Sequence, residues 1–270
     1  MKRKADIFRL FSFLLLKNTA MCDKIEKMLG KESCMFAIKL ADVVIGIDNR
    51  YPFVERLCRN YICDADDVAF TVSVTDAEVA KEQTYGDFPE GYCESICTYR
   101  KICERITSYG VFLMHASIIE VDGFAYAFSA PSGTGKSTHT ALWLKNIPGA
   151  RVVNGDKPLL RMETDGSVTA FGTPWNGKEN WGENIHAPLR AVCFLERGEQ
   201  NSICELREEE AILRLAQQLY LRGDRQSVNL QLMLMDAFVR AMPFYLLKCN
   251  ISDEAALLSY STLSNAPKKN

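Results

Sequence analysis

The stretch Ser129-Ala130-Pro131-Ser132-Gly133-Thr134-Gly135-Lys136-Ser137-Thr138 constrains this chain more than any other. It fits the Walker A pattern [G/A]-x-x-x-x-G-K-[S/T], with Ala130 at the position where glycine is commoner. Such a loop needs a strand before it and a helix after it, and the flanks offer both. Phe124–Phe128 is a short apolar run, and Thr138–Lys145 reads as a helix stopped by Pro148-Gly149. Gly133 and Gly135 allow the backbone N–H groups to turn inward around a phosphate, where the helix N-terminus adds positive potential. Lys136 is expected to reach the β- and γ-phosphates and the Ser137 hydroxyl to hold Mg²⁺. Ser132, Thr134 and Thr138 complete the expected phosphate-binding set.

At 270 residues the chain suits one large or two small domains, and its 47% hydrophobic and 24% charged residues are ordinary for a globular protein. A net charge of −2 leaves no basic face for nucleic acid. The ten cysteines lie scattered in apolar runs without a C-x-x-C pair, as expected of reduced, buried thiols. With only three histidines, their spacing also argues against zinc. Lys2-Arg3-Lys4 and the run Ile7–Leu16 resemble a signal peptide superficially. Arg9 interrupts that run, Lys17-Asn18-Thr19 is no small-residue cleavage site, and the run is too short to span a bilayer. Residues 1–20 are therefore expected to be a peripheral extension of a cytoplasmic protein with no membrane span. A homo-oligomer is compatible with the sequence.

Residues 21–107 read as a small α+β layer. Strands are expected at 35–38, 43–47 and 68–74, a turn into a helix over 50–58, a helix over 77–83 capped by Asp76, and a longer helix over 92–107. Asp64, Asp66 and Asp67 read as a solvated loop. Beyond, Val111–Val121 and Phe124–Ser129 form a hairpin through Asp122-Gly123. A two-residue loop sets Val121 opposite Phe124 and, by extension, His115 opposite Ala130 at the mouth of the phosphate loop. Strand 150–153 ends at Asn154-Gly155-Asp156-Lys157, where Asp156 is placed to hold Mg²⁺ or take a proton from an acceptor hydroxyl. A second hairpin at Asp165-Gly166, with Thr164 opposite Ser167 and by extension Asp156 opposite Trp175, returns the loop Gly172–Glu179 to the same end. There Lys178 is expected at phosphate and Glu179 at metal, the alternative being a solvated ion pair. Strands at 191–196, 203–206 and 244–247, helices over 209–221 and 228–242, and a last helix opened by Ser252 finish the chain. Arg222 and Arg225 read as solvated.

His115 ahead of the loop, the loop itself and Gly155-Asp156 close behind it resemble the HPr kinase/phosphorylase and ATP-dependent phosphoenolpyruvate carboxykinase superfamily. The blocks Ser129–His139, Asn154–Leu160 and Gly172–Trp175 look most like its HPr-kinase-like branch. The resemblance is specific from about Val111 to Arg197. It implies a mixed α/β fold, with a phosphoenolpyruvate-carboxykinase-like P-loop core of mixed sheet and hairpins over 108–270, beside the N-terminal α+β domain. It implies phosphate binding by Lys136, metal binding by Ser137, metal binding or acid/base work by Asp156, and an active-site role for His115. The function it implies is an ATP- and Mg²⁺-dependent kinase acting on a hydroxyl of a peptide, protein or small metabolite. Gly155 stands where the family usually has the first of two adjacent carboxylates. A non-catalytic ATP-binding accessory protein is therefore the alternative, with carboxykinase-like chemistry behind it.

Overall fold

The computed structural model describes residues 34–65, 67–220 and 223–267; the expected extension over 1–20, Asp66 and Arg222 lie outside the described residues. The first elements are β1 (Cys34–Leu40), β2 (Val43–Asn49), α1 (Pro52–Cys58), β3 (Phe70–Ser73), α2 (Asp76–Gln83) and α3 (Glu90–Ile106). Then come β4 (Val111–Leu113), β5 (Ser117–Val121), β6 (Phe124–Ser129), α4 (Lys136–Asn146), β7 (Arg151–Asn154), β8 (Leu159–Met162) and β9 (Val168–Phe171). The chain continues through β10 (His186–Arg197), β11 (Ser202–Glu205), α5 (Glu208–Leu215), α6 (Arg225–Ala241), β12 (Phe244–Cys249) and α7 (Asp253–Leu263). The architecture is mixed α/β. Among the described residues, no helix is long and apolar enough to cross a membrane.

Strands β4 to β12 form one mixed sheet, ordered β4-β8-β9-β10-β6-β5-β7 with β12 beside β10 and β11 beside β12. Alternation along β6 fills both faces: Ala125 and Ala127 enter one apolar cluster, Tyr126 and Phe128 another. β5 is antiparallel to β6, and β7 is antiparallel to β5. β6 and β7 therefore run the same way. Their C-terminal ends share one sheet edge with the N-terminal end of β5, and this brings the phosphate loop, Asp156 and His115 together.

β1, β2 and β3 form a separate small sheet. Its core is not separate: Ile38 and Ile45 share a cluster with Tyr99 and Ile102 of α3 and with Leu159, Phe171 and Trp175. Tyr99 stacks on Trp175 with centroids 4.1 Å apart, and the Trp175 Nε1–H donates to Ser95 O at 3.0 Å. Buried Glu94 of α3 accepts the N–H groups of Arg50 (2.6 Å) and Tyr51 (3.0 Å) at the start of α1. Burial raises its carboxyl above the ordinary range, and those two bonds oppose the shift. Together these contacts hold α1 and α3 across from the phosphate loop.

The structure moves several sequence expectations. Thr75, not Asp76, caps α2: its hydroxyl accepts the Glu78 N–H while the Glu78 carboxylate accepts the Thr75 N–H, a capping box. The strand expected over Val111–Val121 is two strands. Between them Met114 bridges Leu219, and the His115 N–H donates to Gln218 O at 2.7 Å. The helix expected over 209–221 accordingly stops at Leu215, because the following residues pair with this edge. The first hairpin has Val121 opposite Phe124 as expected. The second is slipped by one residue, with Met162 opposite Val168 and Glu163 N–H donating to Ser167 O at 2.8 Å. That leaves a three-residue loop ending at Gly166, whose φ is 83°.

A buried polar contact clamps α4 to α7. The Ser259 Oγ receives Trp143 Nε1–H at 2.8 Å and lies 3.1 Å from His139 Nε2. Burial holds His139 down at about 4, so below about pH 6.5 the unfolded chain takes a proton that the native state refuses. The stability this group contributes is present above about pH 6.5 and is lost as pH falls toward about 4, by about 3 kcal/mol. Urea unfolding at about pH 7 and about pH 4.5 measures the effect. His139→Gln is expected to lose less stability between the two conditions than the wild type does, and an equal loss would contradict this account.

Candidate active site

The loop after β6 is open toward a cavity of ≈ 770 Å³. Gly133 and Gly135 have φ of 77° and 128°, and a Cβ at either would meet nothing within 4 Å. α4 begins at Lys136 with Gly135 as N-cap and no side chain capping it, so its first N–H groups remain available. Ser132, Gly133, Gly135, Lys136, Ser137 and Thr138 line the cavity. Thr134 is engaged differently. Its N–H donates to Pro131 O at 3.2 Å, and its carbonyl accepts from Arg197 Nε at 3.4 Å. Arg197 Nη2 also donates to Gly133 O at 2.6 Å. This arginine, at the end of β10, pins the loop carbonyls from outside and was not singled out by the sequence.

Lys136 Nζ donates to Ala130 O at 3.1 Å and lies 3.1 Å from His115 Nε2. Burial lowers the pKa of the ammonium; the charges of Asp156 and Glu179 oppose that shift. His115 Nε2 is also 3.0 Å from Asp156 Oδ1, and its Nδ1 is 3.1 Å from Gln218 Oε1. With Nδ1–H donating to Gln218, a neutral ring accepts from Lys136 at Nε2, whereas an imidazolium donates Nε2–H to Asp156. The second carboxylate oxygen, Oδ2, accepts from Lys157 Nζ at 2.9 Å. Burial raises the Asp156 carboxyl, but the His115 hydrogen bond and the Lys157 charge outweigh it and hold Asp156 well below the usual carboxylate range. Buried Asn154 aims this group, its Oδ1 accepting the N–H groups of Asp156 (2.9 Å) and Lys157 (2.7 Å).

His115 is not in the β5–β6 ladder opposite Ala130, since that ladder ends at Ser117 and Phe128. It still reaches the loop mouth, where Ser129 Oγ donates to His115 O at 2.8 Å. The segment Trp175–Asn180 also lines the cavity. Lys178 Nζ lies 3.9 Å from Glu179 Oε1, with the lysine side chain 90% exposed and the glutamate 27%. Among the described residues, no three His, Cys, Asp or Glu side chains gather as a metal-binding group. An open glycine cradle, a half-buried ammonium and two carboxylates acting on it fit a nucleotide phosphate with a divalent ion that keeps phosphate and water ligands.

The structure also explains Gly155. A Cβ there would lie 3.0 Å from Asn176 O and 3.1 Å from Trp181 O, and the Gly155 N–H donates to Trp181 O at 2.8 Å. A side chain there would press its Cβ against these two carbonyls, so the 175–181 segment would have to give by a few tenths of an ångström. Gly155→Asp is expected to destabilise the fold by about 1–3 kcal/mol through overpacking. Thermal melting checks this, and a variant of unchanged stability would contradict the packing argument.

A family model described as "SynChlorMet cassette protein ScmC" matches residues 94–255. No curated protein matches the chain. Among solved structures, an HPr(Ser) kinase/phosphatase from Coxiella burnetii matches with 11% identity over 57% of this chain and 94% of that one, at a TM-score of 0.35. The family match spans more than half of the chain, from α3 through the phosphate loop and Asp156 into α7, and by it this chain belongs to the ScmC family.

Proposed function

We propose that the chain is an ATP- and Mg²⁺-dependent phosphotransferase of the HPr-kinase-like kind. In this reading a phosphoenolpyruvate-carboxykinase-like core occupies residues 108–270, and residues 21–107 shape the acceptor side. The observation that carries the reading is the meeting of Lys136, His115 and Asp156 beside an open glycine loop.

Lys136 and the loop N–H groups bind the phosphate oxygens and neutralise charge where it builds up during transfer. Mg²⁺, which Ser137, Asp156 and Glu179 would hold, supplies further neutralisation of those oxygens when bound. Asp156 is held ionised and accepts the hydrogen bond of the acceptor hydroxyl, orienting it for attack. His115 Nε2, 3.0 Å from Asp156 Oδ1, is placed to take the proton onward, with Gln218 holding the opposite ring nitrogen. Arg197 keeps the loop carbonyls turned away from the phosphates.

The single carboxylate at Gly155-Asp156 favours a second reading, in which ATP binding organises a partner without turnover. ADP release from Mg–ATP in the presence of host-cell extract, with Lys136→Ala as control, separates the two. Extract-dependent ADP release that the variant lacks supports the transferase. Tight ATP binding with no release supports the accessory role.

A further inference from the structure

We infer that Lys157 is a second cationic clamp on the nucleotide, its ammonium contacting the γ-phosphoryl group together with Lys136. The inference rests on the nucleotide binding of the phosphotransferase reading, and it holds whether or not transfer follows.

Three successive contacts lead from one ammonium to the other. Lys136 Nζ lies 3.1 Å from His115 Nε2, that nitrogen lies 3.0 Å from Asp156 Oδ1, and Lys157 Nζ lies 2.9 Å from Asp156 Oδ2. The two lysines therefore bracket the His115–Asp156 pair, and both line the cavity over the glycine loop. The loop N–H groups and Lys136 account for the inner phosphates and one side of the γ-phosphate. The group to be transferred spreads its charge over three outer oxygens, and a phosphoryl-transfer site works by neutralising them. Lys157 is the cation at the Asp156 end, where the acceptor enters.

The free donors point to the same division. An ammonium has three N–H donors and no acceptor. Lys136 commits one to Ala130 O and faces His115 Nε2 with another. Among the described residues, Lys157 Nζ meets Asp156 alone, which leaves two donors for a ligand in the cavity. The Lys157 side chain is 36% exposed. Lys178, the lysine expected at phosphate from the sequence, is 90% exposed. Water screens a half-buried charge less than a solvated one, so Lys157 attracts a phosphate more strongly.

The backbone under Lys157 is also fixed from three directions. Its N–H donates to buried Asn154 Oδ1 at 2.7 Å, and its carbonyl accepts from Tyr99 O–H at 2.7 Å and Thr173 Oγ1 at 2.9 Å. Tyr99 is in turn stacked on Trp175. A solvated ion pair needs no such anchoring. A cation held in place before the phosphate arrives needs no reorganisation when charge develops there.

The test is titration calorimetry with Mg²⁺ and either ADP or the non-hydrolysable β,γ-imido analogue of ATP. Lys157→Met is expected to weaken the analogue at least tenfold, as a lost charge-assisted hydrogen bond, and to leave ADP within about twofold. Lys157→Gln should behave alike, and Lys157→Arg, which keeps the charge, should retain most of the affinity. The same loss on Lys157→Met is expected in Asp156→Asn protein, where no carboxylate charge is left to repel the phosphate. Circular dichroism shows that each variant is folded. An unchanged analogue affinity, an equal loss for both nucleotides, or a loss that vanishes in Asp156→Asn protein would overturn the proposal. The last of these would make Lys157 a shield for Asp156 and nothing more. Wild type that binds neither nucleotide would overturn the clamp and the transferase reading together. A γ-phosphate-selective loss in protein that transfers no label would leave the clamp standing and remove the transferase reading alone.

Discussion

Asp156→Asn is expected to lower turnover of Mg–ATP by about 10²–10⁴-fold while leaving ATP affinity within a few-fold. The substitution keeps the shape of the side chain and can still accept from Lys157 at one atom. Its new amide N–H can donate to His115 Nε2, so the fold around the site has no reason to change. On the proposed mechanism, what disappears is the negative charge that orients the acceptor hydroxyl. An interaction made during transfer, rather than in binding, lowers kcat and leaves binding intact. Titration calorimetry for affinity and ADP release for turnover measure the two separately. Full activity in the variant would remove Asp156 from the mechanism.

Lys136→Ala is expected to weaken ATP binding by roughly 10- to 100-fold, the loss of a charge-assisted hydrogen bond, and to take turnover below detection. Its ammonium is half-buried, and burial disfavours its charge in the free protein. Removing that charge relieves a desolvation cost, so the melting temperature should hold or rise. Stable protein that no longer binds nucleotide is therefore the expected outcome. A variant that binds ATP as the wild type does would show that the phosphates lie elsewhere.

Much of this site could be read from local sequence, because its parts sit at the ends of short elements with strong signals. The Asp122-Gly123 turn has both residues at positive φ, 55° and 79°, as its dipeptide demands, and its register holds as far as Ser117; His115 lies beyond the ladder and meets the loop through the Ser129 Oγ bond to its carbonyl. The same dipeptide at 165–166 gave the wrong register. There the Asp165 carboxylate accepts the Ser167 N–H at 2.9 Å and its hydroxyl at 2.6 Å, and the chain closes as a longer loop. Gln218 and Arg197 could not be found this way. Gln218 lies in a stretch with helical periodicity that leaves the helix to pair with Met114 and His115, about a hundred residues earlier. Arg197 carries no local signal, and it is the parallel pairing of β10 with β6 that brings it to the loop. Lys157 was visible only as a neighbour of Asp156; its ion pair on Oδ2 is a matter of side-chain direction.

The most direct test of the central claim is transfer of label from γ-labelled Mg–ATP into a host-cell extract separated into protein, peptide and small-molecule fractions. The wild type is run beside Lys136→Ala and Asp156→Asn. Label entering one fraction with the wild type, and with neither variant, is the result this account predicts. ATP bound by the wild type with no label in any fraction would contradict phosphoryl transfer, and label passed equally by Asp156→Asn would contradict the site.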